Sequence, residues 1–517
     1  MAPARPAGNA TARPAGRAFP WTLATGVALA AAVALVPVGY VLVSAAQTGG
    51  PALARLLLRP MVGELTANTV LLVVLGVAAT LIVGIGGAWL VERTDLPLRR
   101  FFAVALAAPL AIPAFVTSYG WATVAPALGG LAGAVLISAC AYSPLVYLPA
   151  VAALRGLDPA REESARSLGL GSWRVFLRVV LPQLRLAALG GGLVVGLHLL
   201  AEYGAFAFLE FDTFTTAIMT AYRANFGGPN AAALGVVLTA LCLLLVCGEF
   251  RMRGSVRLSS TAPARPARRA RLGGWTGPAL LALAAVVAAS LLVPLSSVLR
   301  WALRAEAADW LPVLPAAGQT VLLALGGAAA CTAVALPAAW LAVRHRGRAS
   351  GVLEGAFYLA GSLPAIIVAL ALVAVVLRAA PAFYQTAVTV IVAYAILFLP
   401  RSLVPIRAGL AQISPAWEEA ARSLGAPPLV ARLRVTLPLL APAIAGGAAL
   451  VALGAANELT ATLLLAPTGT ETVATGFWSA ASAIDYIAAA PYAVTLIALS
   501  VPAVHLMFSE ATSRGSA

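Results

Sequence analysis

Two carboxylates in this chain lie where carboxylates are costly. Glu202, in AEYGAFAFL, and Glu458, in ANELTATLLL, sit in or beside long apolar runs, 256 positions apart. An acidic group at the centre of a membrane span costs at least ~2.5 kcal/mol on insertion scales. Keeping two in register predicts that they face a water-filled path or a bundle interior, where they would attract a cation. The alternative is that both bond neighbouring backbone and only stabilise packing. Other chemistry is sparse. There is no HExxH, no clustered His and no nucleophile with a base near it, which argues against a membrane-embedded enzyme. His198 lies in an apolar run and reads as a packing residue, and His345 and His505 have no partner cluster. Cys140, Cys242, Cys247 and Cys331 show no CxxC spacing, so neither a metal site nor a cofactor is expected. All basic residues other than His are Arg. A phosphate-binding P-loop needs a Lys after its glycines. Any ATP hydrolysis must therefore come from a partner.

The same 256-residue offset relates two polar islands. EESARSLGLGSWRVFLRVVLP (162–182) returns as EEAARSLGAPPLVARLRVTLP (418–438) without a gap. Each reads as a short helix, a turn and the start of a long helix. Asp158 with Pro159, and Ser414 with Pro415, suit a helix start. Glu162 and Glu163 can pair with Arg166 on one face. Gly169 and Gly425 suit a left-handed helix end, and Pro182 and Pro438 the first turn of the next helix. The register extends outward, with Pro144 and Pro149 matching Pro400 and Pro405, and Gly190 and Gly191 matching Gly446 and Gly447. A polar island kept twice is a candidate docking surface.

The elements that position these islands are membrane helices. The 517 residues are 61% hydrophobic and 10% charged, with mean hydropathy +0.94. Apolar runs of about 20 residues fit membrane-spanning helices. Spans are expected near 21–46, 68–91, 101–125, 128–153, 183–209 and 231–249. A second set is expected near 277–299, 318–343, 353–377, 384–408, 439–465 and 486–508. The expected fold is thus an all-α integral membrane protein of about 12 transmembrane helices, as two parallel six-helix repeats. The domains read as a basic tail over 1–20, a first repeat over 21–249 with its polar loop at 158–182, an Arg-rich linker over 250–275, and a second repeat over 276–517 with its loop at 414–438. The net charge of +15 reads as Arg in cytoplasmic loops, not as nucleic-acid binding. Arg5, Arg13 and Arg17 place the N-terminus inside. The loops carrying Arg93, Arg99 and Arg100, and Arg344, His345, Arg346 and Arg348, then fall inside, as do both islands. The linker carries seven Arg from Arg251 to Arg271 and reads as a flexible tether.

The island pattern, Glu-Ala-Ala, three residues, Gly, nine residues, an aliphatic, one residue, Leu-Pro, resembles the EAA loop of ABC importer permeases. The first copy has Ser164 in place of the first Ala; the second matches fully. The resemblance implies the MetI-like permease fold and a loop that inserts into a cleft on an ATPase subunit. On it, Glu163, Ala165, Arg166 and Gly169, with Glu419, Ala421, Arg422 and Gly425, are the ATPase-coupling residues, and Glu202 and Glu458 the translocation-pathway candidates. A fused chain with two such loops resembles the iron(III) importer permeases of the bacterial inner membrane, a group that also serves thiamine, polyamines and phosphonates. The implied partners are two copies of a cytoplasmic ABC ATPase, a periplasmic or lipid-anchored substrate-binding protein, and membrane lipid. An ion-coupled secondary transporter would fit two parallel halves, but it has no use for docking loops.

Overall fold

The computed structural model describes residues 20–225, 229–253, 269–345 and 347–513. The basic tail through Arg17, most of the linker and Arg346 lie outside these. The described residues are helical apart from turns and one isolated parallel bridge, Thr94 to Ala270. In lipid, backbone groups find partners only within the protein, which leaves the apolar runs one outcome.

Among the described residues, six helices are long and apolar enough to cross a membrane: Pro60–Arg93, Asn230–Met252, Gly273–Ala302, Ala307–Arg344, Ala387–Gln412 and Pro428–Ala456. Five more stretches are bent pairs, and Tyr486–Pro502 is a shorter apolar helix. Counting each bent pair as one span gives up to eleven against the twelve expected, and several expected spans are broken. The stretch expected as one helix at 101–125 turns by 99° between Arg99–Ala111 and Ala114–Val124, and that at 353–377 by 102° between Arg348–Gly361 and Ala365–Ala379. Each bend ends on a proline, Pro113 or Pro364, with extended ψ near 145°. Proline pushes the residue before it out of the helical region and starts the next helix well.

The two halves share their joints. A π-turn spans Phe176–Val180 in the first and Arg432–Thr436 in the second. Each stops two residues before a proline, Pro182 or Pro438. The proline has no N–H and its ring crowds the carbonyl four residues back, so the ladder widens there. A third π-turn, Ala288–Leu292, precedes Pro294 in the same way.

The halves also interlock. The first span, Trp21–Ala34 with Val36–Thr48, packs on helices of the second half. Reciprocally, Gly273–Ala302 packs on the first half: Trp121 Nε1 donates to the Ala289 carbonyl at 3.0 Å, and Thr123 and Ser297 hydroxyls meet at 2.5 Å. A Cβ on Gly120 would come 2.6 Å from Pro294 Cα, so the two helices touch backbone to backbone. Each leading span thus reaches the opposite half, while Val36–Thr48 also packs on Pro229–Arg253 and Val293–Ala302 on Tyr486–Ser513 of its own half. The described end of the linker is held rather than loose: Ala270 N donates to the Arg93 carbonyl at 2.9 Å and Leu272 N to Asp95 Oδ1 at 2.9 Å.

Candidate functional site

Both polar loops fold to one design. The first short helix is Ala160–Ser167, with the Ala160 N–H bonded to Asp158 Oδ1 at 3.0 Å. The second is Pro415–Ser423, with the Ala416 N–H on the Ser414 hydroxyl at 3.3 Å. Each ends in the same left-handed bend, Gly169 at φ +85° and Gly425 at φ +89°. The Gly169 N–H donates to the Arg166 carbonyl at 2.9 Å and the Leu170 N–H to that of Ala165 at 3.2 Å. The second loop repeats both bonds, Gly425 to Arg422 at 3.0 Å and Ala426 to Ala421 at 3.1 Å. This pair of bonds satisfies carbonyls that a helix end leaves orphaned.

The bend aims an apolar knob outward in each copy. Leu168 is 83% exposed and Leu424 is 89% exposed. Large exposed apolar side chains at matched places of both copies are candidates for a contact surface. Glu163 and Glu419 are exposed, Ala165 is buried and Ala421 half-buried. Glu419, Arg422, Ser423, Gly425 and Ala426 line an open hollow of about 470 Å³ with Pro427 and Pro428.

The sequence reading did not separate the two adjacent acids of each loop. Glu162, not Glu163, pairs with Arg166, at 3.3 Å, and it is buried. It also faces the buried Arg93 at 3.5 Å, whose guanidinium donates to the Leu154 carbonyl at 2.6 Å. The loop is thus fastened to the end of the long helix Pro60–Arg93. The second loop is fastened differently. Glu418 is buried and accepts from the Thr436 hydroxyl at 2.7 Å, while Arg344 donates to the Ile413 carbonyl at 2.9 Å. Trp89 packs on the Phe176 ring at 4.8 Å, whereas Trp340 carries the Arg432 guanidinium at 4.9 Å.

The two glutamates flank a contact between the halves. Gly204 and Leu459 meet across the halves: a Cβ on Gly204 would lie 2.8 Å from Leu459 Cδ2. Glu458 is within electrostatic reach of Glu202 and of Arg401. Each acid ends a broken helix. Glu202 follows Arg185–Ala201, and its Oε1 accepts from the Ala205 N–H at 2.9 Å. Glu458 Oε1 accepts from the Ala461 N–H at 2.9 Å. So the acids bond the backbone of the short helices beyond the break, while lying beside the contact between halves. Beside Gly204, Phe115 packs on Phe477, as do Tyr119 and Phe208, and Phe208 also packs on Trp478, with centroids 4.9–6.3 Å apart.

Arg401 carried no repeat signal and was not singled out. It stands midway along Ala387–Gln412, over the Phe398 ring at 4.7 Å. Such a placement costs ~2.5–3.5 kcal/mol by insertion scales. His198 is held by the Val194 carbonyl at 2.8 Å and lies against the Tyr142 ring. Among the described residues no three His, Cys, Asp or Glu side chains converge as metal ligands.

Comparison with known proteins gives the family. The family described as binding-protein-dependent transport system inner membrane component matches the chain twice, over residues 76–248 and 333–509. The Fe(3+)-transport system permease protein FbpB 2 of Haemophilus influenzae is 34% identical over 471 residues, covering 90% of this chain and 93% of that protein. The molybdenum transport system permease protein ModB of Escherichia coli is 30% identical over 203 residues, 35% of this chain and 88% of ModB. The sulfate transport system permease protein CysW of Escherichia coli is 27% identical over 209 residues, 38% of this chain and 72% of CysW.

Proposed function

The chain belongs to the binding-protein-dependent transport system inner membrane components, and from that premise we propose how it is driven and what it carries. It is the permease of an ABC importer, multi-pass in the inner membrane, with both halves in one polypeptide. Two ATPase copies dock from the cytoplasm, one on each polar loop, and hydrolyse the ATP that this chain has no P-loop to bind. The N-terminus lies on that same side.

The observation that carries the docking reading is the matched bend that presents Leu168 and Leu424 to solvent. Glu163, Arg166, Glu419 and Arg422 surround the knobs with charge, and Gly169 and Gly425 set their direction. The buried Glu162 and Glu418 tie each loop to the membrane helices, so that a push on the loop reaches the spans. Closure of the ATPase pair brings both loops together and opens the path outward, and hydrolysis resets it. A binding protein delivers cargo at the outer face. The cargo is iron(III), supported by the similarity to an Fe(3+) permease along nearly all of both chains. Glu202 and Glu458, flanking a contact between the halves, line its route.

The test is reconstitution of the chain with a soluble ATPase and a binding protein loaded with iron(III). ATP-dependent iron uptake that stops without ATP is the expected result. Uptake driven by an ion gradient alone would refute the reading.

A further inference from the structure

We propose that Arg401 is the residue of the transport path that recognises an oxyanion, so that iron(III) crosses this chain as an anion-capped complex and not as a bare cation. The iron part of this statement rests on the cargo reading above; the anion part rests on the geometry around Arg401.

That geometry is a set of three matched departures from the internal repeat. At the 256-residue offset, Tyr142 corresponds to Phe398, Leu145 to Arg401 and His198 to Gly454. In the first half the Tyr142 hydroxyl donates to Glu202 Oε2 at 2.6 Å, and His198 lies against the Tyr142 ring. In the second half the ring has no hydroxyl and position 454 has no side chain. The guanidinium of Arg401 fills that room. It lies over the Phe398 ring, and a Cβ on Gly454 would come 2.5 Å from its Nη1. The seat is built for a guanidinium, and only one half builds it.

The seated charge lacks a direct ion pair. Among the described residues Arg401 makes no ion pair, while Glu458 and His198 lie within its electrostatic reach. A permanently charged guanidinium repels a bare trivalent cation passing beside it. It attracts a carboxylate or phosphate, whose oxygens fit its planar fork. Two carboxylates are too few to complete a ligand shell in place of the one the metal brings, and no third ligand group joins them among the described residues. Both oxygens of Glu202 are bonded, as is Oε1 of Glu458. Iron(III) in neutral water holds hydroxide or chelating anions tightly, so its ligands travel with it. The metal side of such a complex would face the two acids and its anionic side Arg401.

The test uses cells carrying the complete importer, supplied with radioactive iron as its citrate complex or, in a separate arm, with molybdate alone. Arg401→Gln is expected to cut ferric citrate uptake at least tenfold, with Arg401→Lys less affected. Gly454→Ala, which crowds the seat without removing the charge, should lower uptake in the same direction; it keeps the question open to refutation if Arg401→Gln fails to reach the membrane. Ferric citrate uptake by Arg401→Gln at the wild-type rate or faster would overturn the proposal while leaving iron as cargo. A wild-type importer that moves molybdate but no iron, and loses this with Arg401→Gln, would overturn the iron reading and support anion recognition by Arg401.

Discussion

Replacing Gly169 and Gly425 by Val tests the docking loops where the structure allows the cost to be worked out. Both glycines sit in the left-handed region, at φ +85° and +89°. A Cβ added to either meets nothing within 4 Å. The penalty is therefore backbone strain and not a clash. An L-residue in that region costs roughly 1–2 kcal/mol, and a β-branched one is a true outlier there. If the chain relaxes to escape the strain, it gives up two hydrogen bonds per loop, each about 1 kcal/mol net. A cost of 1–2 kcal/mol lowers the correctly bent population by about 5–30-fold. The membrane helices lie outside the bend, so folding should survive. The assay is uptake per ATP hydrolysed in proteoliposomes with the ATPase and loaded binding protein. Each single variant should lose coupling, and the double variant should lose the sum in free energy, since the loops share no residues. Gly171, at φ −67° with open space around it, supplies the control: Gly171→Ala should leave coupling intact. Unchanged coupling in the Gly169→Val, Gly425→Val double variant would refute the reasoning.

Further tests address the fastenings and the axis. Glu162→Gln removes the nearer counter-charge of the buried Arg93 and leaves Glu92; breaking a buried pair costs at most roughly 3–5 kcal/mol, so thermal denaturation of the purified chain should fall by several degrees. Glu418→Gln should cost less, because the Thr436 hydroxyl can still donate to an amide oxygen. Glu202→Gln with Glu458→Gln keeps an acceptor for the Ala205 and Ala461 N–H groups and removes the charge, while the NH2 that replaces Glu202 Oε2 makes the Tyr142 hydroxyl accept instead of donate; uptake should fall with at most a small drop in the denaturation midpoint, and normal uptake would make them packing residues. Gly204→Val places methyls into Leu459 and Phe115 and should lower transport by prying the halves apart, read as slower uptake at equal expression.

Much of the outline was legible in the sequence because membrane helices are set by local composition. The loops were legible because their signals are also local: Asp158, Ser414 and the two glycines act within one turn. What was missed depends on contacts distant in sequence. The repeat looked confined to the 256-residue offset, yet Thr69, Trp89, Arg93 and Pro113 match Thr320, Trp340, Arg344 and Pro364 at 251. The helix after Pro364 runs to Ala379, where that after Pro113 stops at Val124. The added residues there shift the register and hide the earlier matches. Glu162 and Glu163 are neighbours of equal charge, and only packing against Arg93 separates them. The reach of the leading spans to the opposite half leaves no mark in either segment alone. Arg401 carried a signal, a lone Arg in an apolar run, but no partner in the other half drew notice to it.

Two matched handles, reached by motors from inside the cell, couple ATP to transport in this permease. The direct measurement is cross-linking from single cysteines at the two knobs, Leu168→Cys and Leu424→Cys, with the exposed Cys247 replaced. Both positions should cross-link to the ATPase subunit and resist membrane-impermeant thiol reagents added outside. Labelling of either from the outer face, or an ATPase that binds yet touches neither position, would contradict it.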